Sequence, residues 1–245
     1  METYLAYFDI LGFKEYIFNT TEEDVSRKFE HLFRDSQRAQ NGDAWITESH
    51  GGQVPDFRYS KANCLHISDS IIFWTSGVGD QHFTNIIEVC NDFFQCCCVN
   101  QLCPVRGCVV KGDISFDPFI INPQEEFKFI NSSLYGKALI DAYLKAEAQD
   151  WAGCYIDKSA YDDISKNTID NLITSGKLLS YPVPFKNGVV SNELTVKMIG
   201  PKRDNINVND VENLFTKQIN CNAITDSIQR KIDNTVQYFN HIKSL

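Results

Sequence analysis

The feature that most restricts the fold of this chain is the order in which its hydrophobic pattern changes period. Tyr4, Leu5, Ala6, Tyr7 and Phe8 form a short apolar run, stopped by Asp9 and the turn around Gly12. Such a run is the mark of a buried strand. A short helix is expected over residues 14–18. Thr20 precedes Glu23 by three residues, the capping-box spacing. Val25, Phe29, Leu32 and Phe33 then recur at helical intervals, which predicts a helix over 21–38. Residues 41–57 read as loop. Two extended runs, 59–67 and 70–74, meet at Ser68-Asp69 and predict a hairpin. Phe83, Ile86, Ile87, Cys90, Phe93, Phe94 and Cys97 trace the stripe of a second helix. A strand follows over 105–110, then a third helix marked by Ala138, Ala142 and Ala146, and a strand at 154–156. A hairpin of 178–183 and 194–199 around Asn187-Gly188 and one or two amphipathic helices over 211–245 complete the chain.

The order β-α-β-β-α-β-α-β opens with the split-βαβ, ferredoxin-like arrangement. An α+β fold is therefore expected, with a main domain over residues 1–200 and a C-terminal helical extension, 201–245, packed on it. A length of 245 residues suits one such domain with appendages. This arrangement serves enzymes and binding modules alike, so it does not choose a function. Charge narrows the choice. Twenty-three Lys and Arg against 32 Asp and Glu give a net charge of −9, the wrong sign for a nucleic-acid polymer as partner. A small anionic substrate stays possible, because a metal-loaded pocket is locally positive.

The apolar runs are far too short for a bilayer span. Glu2 and Asp9 stand where a signal peptide carries basic and unbroken apolar segments, so no membrane partner and a cytoplasmic location are expected. The nine cysteines include no Cys-x-x-Cys pair, and Cys96, Cys97 and Cys98 are consecutive in a helical run. They read as small buried hydrophobes of a reducing compartment. Gly107 and Gly112 have P-loop spacing, but Asp113 and Ile114 follow where Lys and Ser or Thr are required.

Two carboxylates carry the chemistry. Asp9 ends the first strand and Asp69 sits at the hairpin tip. In the split-βαβ order the first strand is flanked by the third, so the two acids meet. A lone Asp commonly serves as a turn or cap residue; a pair at neighbouring strand ends suits Mg²⁺, which takes one or two carboxylates plus substrate phosphate oxygens. Gly12 permits a tight turn. The N–H groups of Leu11, Gly12 and Phe13, at the start of the short helix, either cradle phosphates or simply make a strand–helix turn.

These residues sit in motifs that resemble a known family. Phe8-Asp9-Ile10-Leu11-Gly12-Phe13 resembles the first metal motif of class III nucleotidyl cyclases, and Ser68-Asp69-Ser70-Ile71-Ile72-Phe73 the second. Val105-Arg106-Gly107-Cys108-Val109-Val110-Lys111-Gly112 is similar to their Arg-x-Gly-x-x-x-Gly strand. Tyr135-Gly136-Lys137-Ala138-Leu139-Ile140-Asp141-Ala142-Tyr143 is similar to the start of their catalytic helix, and Gly153-Cys154-Tyr155-Ile156-Asp157-Lys158-Ser159 also fits. The likeness spans about residues 4–160. It implies an enzyme that closes a nucleoside triphosphate into a 3′,5′-cyclic nucleotide. Two divalent ions, Mg²⁺ or Mn²⁺, would be held at Asp9, Ile10 and Asp69. A homodimer with composite sites is implied as well.

Where the familiar cyclases carry Asn and, four residues on, Arg, this chain has Asp141 and Lys145. Lys145 then bears on the triphosphate as a point charge, with Arg106 as a further cation; a surface ion pair is the plainer reading of Asp141 and Lys145. Leu65 replaces the Lys with which adenylyl cyclases read adenine, and Tyr59 is expected on the same strand face, narrowing the base pocket. These departures are similar to the bacterial Pycsar pyrimidine cyclases. They imply UTP or CTP as substrate, a role in anti-phage defence and an effector reached through the cyclic nucleotide. A purine cyclase, or a degenerate nucleotide-binding domain, is the alternative.

Overall fold

The computed structural model describes every residue except 43, 49, 98–102, 122–128, 200–205 and 217–223; for 118–121 and 129–132 it describes the backbone alone. The apolar N-terminal run forms β1 (Glu2–Ile10). It is followed by α1 (Phe13–Asn19), α2 (Glu22–Asn41), β2 (Trp45–Thr47), β3 (Gln53–Pro55), a 3-10 turn (Phe57–Tyr59), β4 (Asn63–Ile67) and β5 (Ser70–Trp74). Then come α3 (Asp80–Gln95), β6 (Val105–Asp113), β7 (Ser115–Ile121), β8 (Phe129–Tyr135), α4 (Lys137–Ala148), β9 (Cys154–Ile156), α5 (Lys158–Tyr161) and α6 (Lys166–Thr174). The described elements end with β10 (Leu178–Pro184), β11 (Val190–Val196), α7 (Val208–Thr216) and α8 (Asp226–Lys243).

One seven-stranded sheet runs in the order β10-β11-β9-β6-β1-β5-β4. Its β6-β1-β5-β4 portion pairs antiparallel throughout and is the ferredoxin-like order expected from the sequence. β9 adds parallel to β6, and the β10–β11 hairpin extends the sheet beyond it. Successive residues of β1 point to opposite faces. Phe8 and Tyr4 point to one. There Phe8 meets Phe73, Phe93 and Phe94, and Tyr4 meets Phe83, all ring against ring. Beside them only a glycine fits: a Cβ on Gly107 would lie 2.6 Å from the Phe8 ring and 2.9 Å from the Tyr7 carbonyl oxygen. The other face is covered by α4, whose buried Ala138, Ala142 and Ala146 let the helix lie close on β6. Small side chains there leave room for polar groups at the strand ends.

Several expectations change in detail. β1 runs on through Asp9, which is thus a strand residue. The cap of α2 is Thr21, whose hydroxyl accepts from the Asp24 N–H, one residue later than the Thr20–Glu23 spacing suggested. Residues 41–57 begin with Asn41, the last residue of α2, and contain the small β2–β3 hairpin. The expected strand 59–67 begins only at Asn63. Asp56 pairs with Arg58 and accepts its N–H, curling 57–59 into the 3-10 turn. The β7–β8 hairpin, α5 and α6 were not read from the sequence. β11 starts at Val190 because the turn at Asn187-Gly188, with Gly188 at φ +80°, pairs Pro184 with Val190.

The C-terminal α8 packs Tyr238 against Trp151 and Tyr181, and the Tyr238 hydroxyl donates to the Val196 carbonyl. The seven described cysteines are free, and all but the half-buried Cys64 are buried; Cys98 and Cys221 lie outside the described residues. Among those residues no helix is long and apolar enough to cross a membrane.

Candidate active site

The site is built where β1 ends. Asp9 stands opposite Ser70 in the β1–β5 register and opposite Arg106 in the β1–β6 register. The hairpin between β4 and β5 turns at Ser68-Asp69. Ser68 is at φ +55°, the one described residue other than glycine in the left-handed region. This tight turn folds back on β1, and the Ile10 N–H donates to the Asp69 carbonyl at 3.0 Å. Asp9 and Asp69 are thereby neighbours at one end of the sheet.

The electrostatics register that proximity. Burial pushes the Asp9 carboxyl above its ordinary value. Arg106 pulls it back, but the charges of Asp69 and Glu147 add to the rise. Tyr7, two residues earlier on the same face, is pushed up to about 12 by burial. Its hydrogen bond to Ser70 opposes the shift, and the nearby Asp9 and Asp69 reinforce it. The Tyr7 and Ser70 hydroxyls are 2.7 Å apart.

Arg106 is only 3 % exposed. One terminal nitrogen donates to Asp9 Oδ2 at 2.8 Å and also to the Glu147 carboxylate. The other reaches the carbonyls of Glu147 at 3.3 Å and Gln149 at 3.4 Å. Its Nε finds no acceptor among the described residues. Glu147 in turn accepts from Lys186 at 3.2 Å. Burial acts to raise the Glu147 carboxyl, but Arg106 and Lys186 outweigh it and hold the group below its usual range. Four residues earlier on α4, Tyr143 meets the Tyr7 ring edge-on at 5.7 Å. One end of the helix is thus tied to the Asp9 face by a ring contact and an ion pair.

The remaining expected site residues are distributed unevenly. Ile10 is buried beside Asp69. Leu11 is buried and its N–H donates to the Pro104 carbonyl at 2.9 Å, so that amide is not free for a phosphate. Gly12 holds φ +74° as the cap of α1, and Phe13 packs edge-on against Phe29. Leu65 is half-buried opposite Ile72. Tyr59, in the 3-10 turn and 65 % exposed, does not share a strand face with Leu65. Lys145 pairs with Asp157 at 2.9 Å rather than with Asp141, which is exposed.

Tyr7, Tyr143, Glu147 and Lys186 were not singled out from the sequence. Alternation along β1 puts Tyr7 with Asp9, and four-residue spacing puts Glu147 with Tyr143.

Among the described residues no three acidic, His or Cys side chains form a metal cage. Asp9 and Asp69 supply hard oxygens from two carboxylates. This donor set suits Mg²⁺ or Mn²⁺ completed by water and substrate oxygens, and not a closed structural site.

No protein-family model matches the chain, and no curated protein matches it. Among solved structures it is similar to the guanylyl cyclase Cya2 at 11 % identity, over 83 % of this chain and 95 % of that one, with a TM-score of 0.48. An adenylate cyclase from Trypanosoma brucei in its monomeric state overlaps at 10 % identity, over 84 % and 91 %, with a TM-score of 0.48. A class III adenylyl cyclase-like ATP-binding protein from Pseudomonas aeruginosa overlaps at 13 % identity over 71 % of this chain and 36 % of its own, with a TM-score of 0.42.

Proposed function

We propose that the chain is a metal-dependent nucleotidyl cyclase that converts a pyrimidine nucleoside triphosphate, UTP or CTP, into the 3′,5′-cyclic nucleotide and pyrophosphate. The observation that carries this reading is the meeting of Asp9 and Asp69 at adjacent strand ends beside the β1–α1 turn. Asp9, Asp69 and the backbone at Ile10 would hold two divalent ions, whose chemistry is to activate the attacking hydroxyl and neutralise the leaving pyrophosphate. The protein's own groups orient the substrate. The Gly12 and Phe13 N–H groups face the phosphates at the start of α1. Lys145 supplies positive charge where the phosphorus centre gains negative charge as the ring closes. Asp141 lies on the same helix, one turn before it.

Pyrimidine preference rests on Leu65, which offers no charged group to a purine edge. Tyr59 lies in the exposed 3-10 turn and not on the strand face of Leu65. The active form would be a homodimer, with the carboxylates of one protomer facing Asp141 and Lys145 of the other. The cyclic nucleotide would act on a separate effector in anti-phage defence.

Incubation with each of the four nucleoside triphosphates and Mn²⁺ tests the reaction. Cyclic UMP or cyclic CMP is expected, and Asp69→Asn should abolish it. A purine product without a pyrimidine one overturns the substrate class, and nucleotide binding without turnover overturns the enzyme.

A further inference from the structure

Arg106 is the one buried guanidinium of the site, and two carboxylates from different elements share it: Asp9 of β1 and Glu147 near the end of α4. The same terminal nitrogen serves both. A buried cation beside Asp9 competes with any divalent ion for that carboxylate. It needs somewhere else to go when the ion arrives, because a buried charge left without a partner is costly. Glu147 offers that place. It stays anchored by Lys186 and by its position on a helix that Tyr143 pins to Tyr7. The carbonyls of Glu147 and Gln149 hold the other end of the guanidinium on the α4 side whichever carboxylate the first end faces.

We infer that Glu147 is a positioning residue that retains Arg106 on α4, so that Arg106 serves as the resident counter-ion of Asp9 before a divalent cation binds and yields Asp9 to the cation when one does. This inference rests on the metal reading of Asp9 and Asp69. Glu147 touches neither substrate nor metal; it acts through Arg106. Removal of its charge leaves Asp9 as the only carboxylate for a buried guanidinium, which then holds Asp9 more tightly against the metal.

Calorimetric titration of the full chain with Mn²⁺ alone tests the first half. Glu147→Gln is expected to weaken Mn²⁺ binding about 10-fold, the lower end of what outer-shell partners of metal ligands typically contribute. Glu147→Asp should recover part of the loss. Arg106→Met, which removes the competitor, should bind Mn²⁺ at least as tightly as the wild type. Unchanged or tighter binding in Glu147→Gln overturns the inference, even if its melting temperature falls.

The second half needs no metal. In the apo protein, Asp9→Asn and Glu147→Gln each leave Arg106 one carboxylate, whereas the double variant leaves none. The double variant should therefore lose more stability in urea than the sum of the single losses; additive or smaller losses overturn the sharing of Arg106. Asp69→Asn is the control that separates this idea from its premise. If the wild type fails to bind Mn²⁺, or Asp69→Asn binds it normally, the metal reading fails and the inference with it. The stability cycle then still decides whether the two acids share the guanidinium.

Discussion

The two faces of β1 differ as much as any two regions of the molecule, although they are made by alternate residues of one strand. Tyr4 and Phe8 enter a dry aromatic layer with Phe73, Phe83, Phe93 and Phe94. Tyr7 and Asp9 point the other way, to Arg106, Glu147 and Tyr143, under a helix that presents alanines to the sheet. The first face gains from burial of apolar area, and the one hydroxyl of these rings, that of Tyr4, is satisfied by the Gly79 N–H. The second holds the buried Arg106 between the partly exposed carboxylates of Asp9 and Glu147, so its cohesion depends on pairing charges rather than on apolar area. Stability on one side of a sheet leaves the other side free to carry expensive groups.

The comparison breaks most visibly at adjacent residues. Phe8→Ala empties the aromatic layer and should cost about 3–5 kcal/mol of stability. Asp9→Asn leaves Arg106 paired with Glu147 and should cost less than Phe8→Ala in the same urea titration, yet remove turnover. Equal losses of stability would mean that the charged face is part of the core after all.

Lys145→Ala comes next. A lost donor to a transition-state charge typically costs about 10²–10³ in kcat, so steady-state kinetics should show kcat falling more than KM rises. Lys145 also pairs with Asp157; a variant that only melts earlier would return Lys145 to a purely structural role. In mixtures of Lys145→Ala with Asp69→Asn, composite sites predict recovery to roughly a quarter of wild-type activity, since half the dimers would be mixed and each would have one intact site of two. A silent mixture with proven subunit exchange would put Lys145 and Asp69 in the same site of one chain.

The charges on the aromatic side lie at its rim. Glu88 of α3 joins Lys61 at 2.7 Å and also Lys177, linking the approach to β4 with the approach to β10. Burial acts to raise its carboxyl, but the two lysines prevail and hold it below the ordinary value. Its pairing therefore adds stability above the unfolded carboxylate range, and that stability is lost as pH falls through the depressed folded value. Glu88→Gln should cost about 1.5–3 kcal/mol at pH 7 and progressively less under acid, with turnover intact. A cost that grows on acidification would contradict the direction of the shift.

The smallest effect is expected at the start of α2. Thr21→Ala removes a hydroxyl that accepts the Asp24 N–H, worth about 1 kcal/mol, with no change in activity. A null effect on melting would show that the neighbouring Asp24 and Glu22 suffice for that helix end.

Legibility followed the range of the forces involved. The split-βαβ order, the hairpin at Ser68-Asp69 and the helices over Phe83–Phe94 and Ala138–Ala146 were readable, because period and turn chemistry are local. Tyr59 was misplaced because one Asp56–Arg58 pair curls the backbone before β4. The β7–β8 hairpin was not read at all. At the site, the meeting of Asp9 with Asp69 followed from strand order, whereas the Glu147–Arg106–Asp9 bridge did not: it joins groups 41 and 97 positions apart.

The sequence by itself determined the principal strands and helices of the ferredoxin-like order and the candidate pair Asp9 and Asp69, because hydrophobic period and the strand-flanking rule specify them without distant contacts. Only the tertiary structure decided which charges are taken. Leu11's amide goes to Pro104, Lys145 goes to Asp157, and Arg106 goes to Asp9 and Glu147. The physical reason is that a buried donor or charge bonds to whatever acceptor the packing of distant segments brings within reach, and no local pattern records that choice.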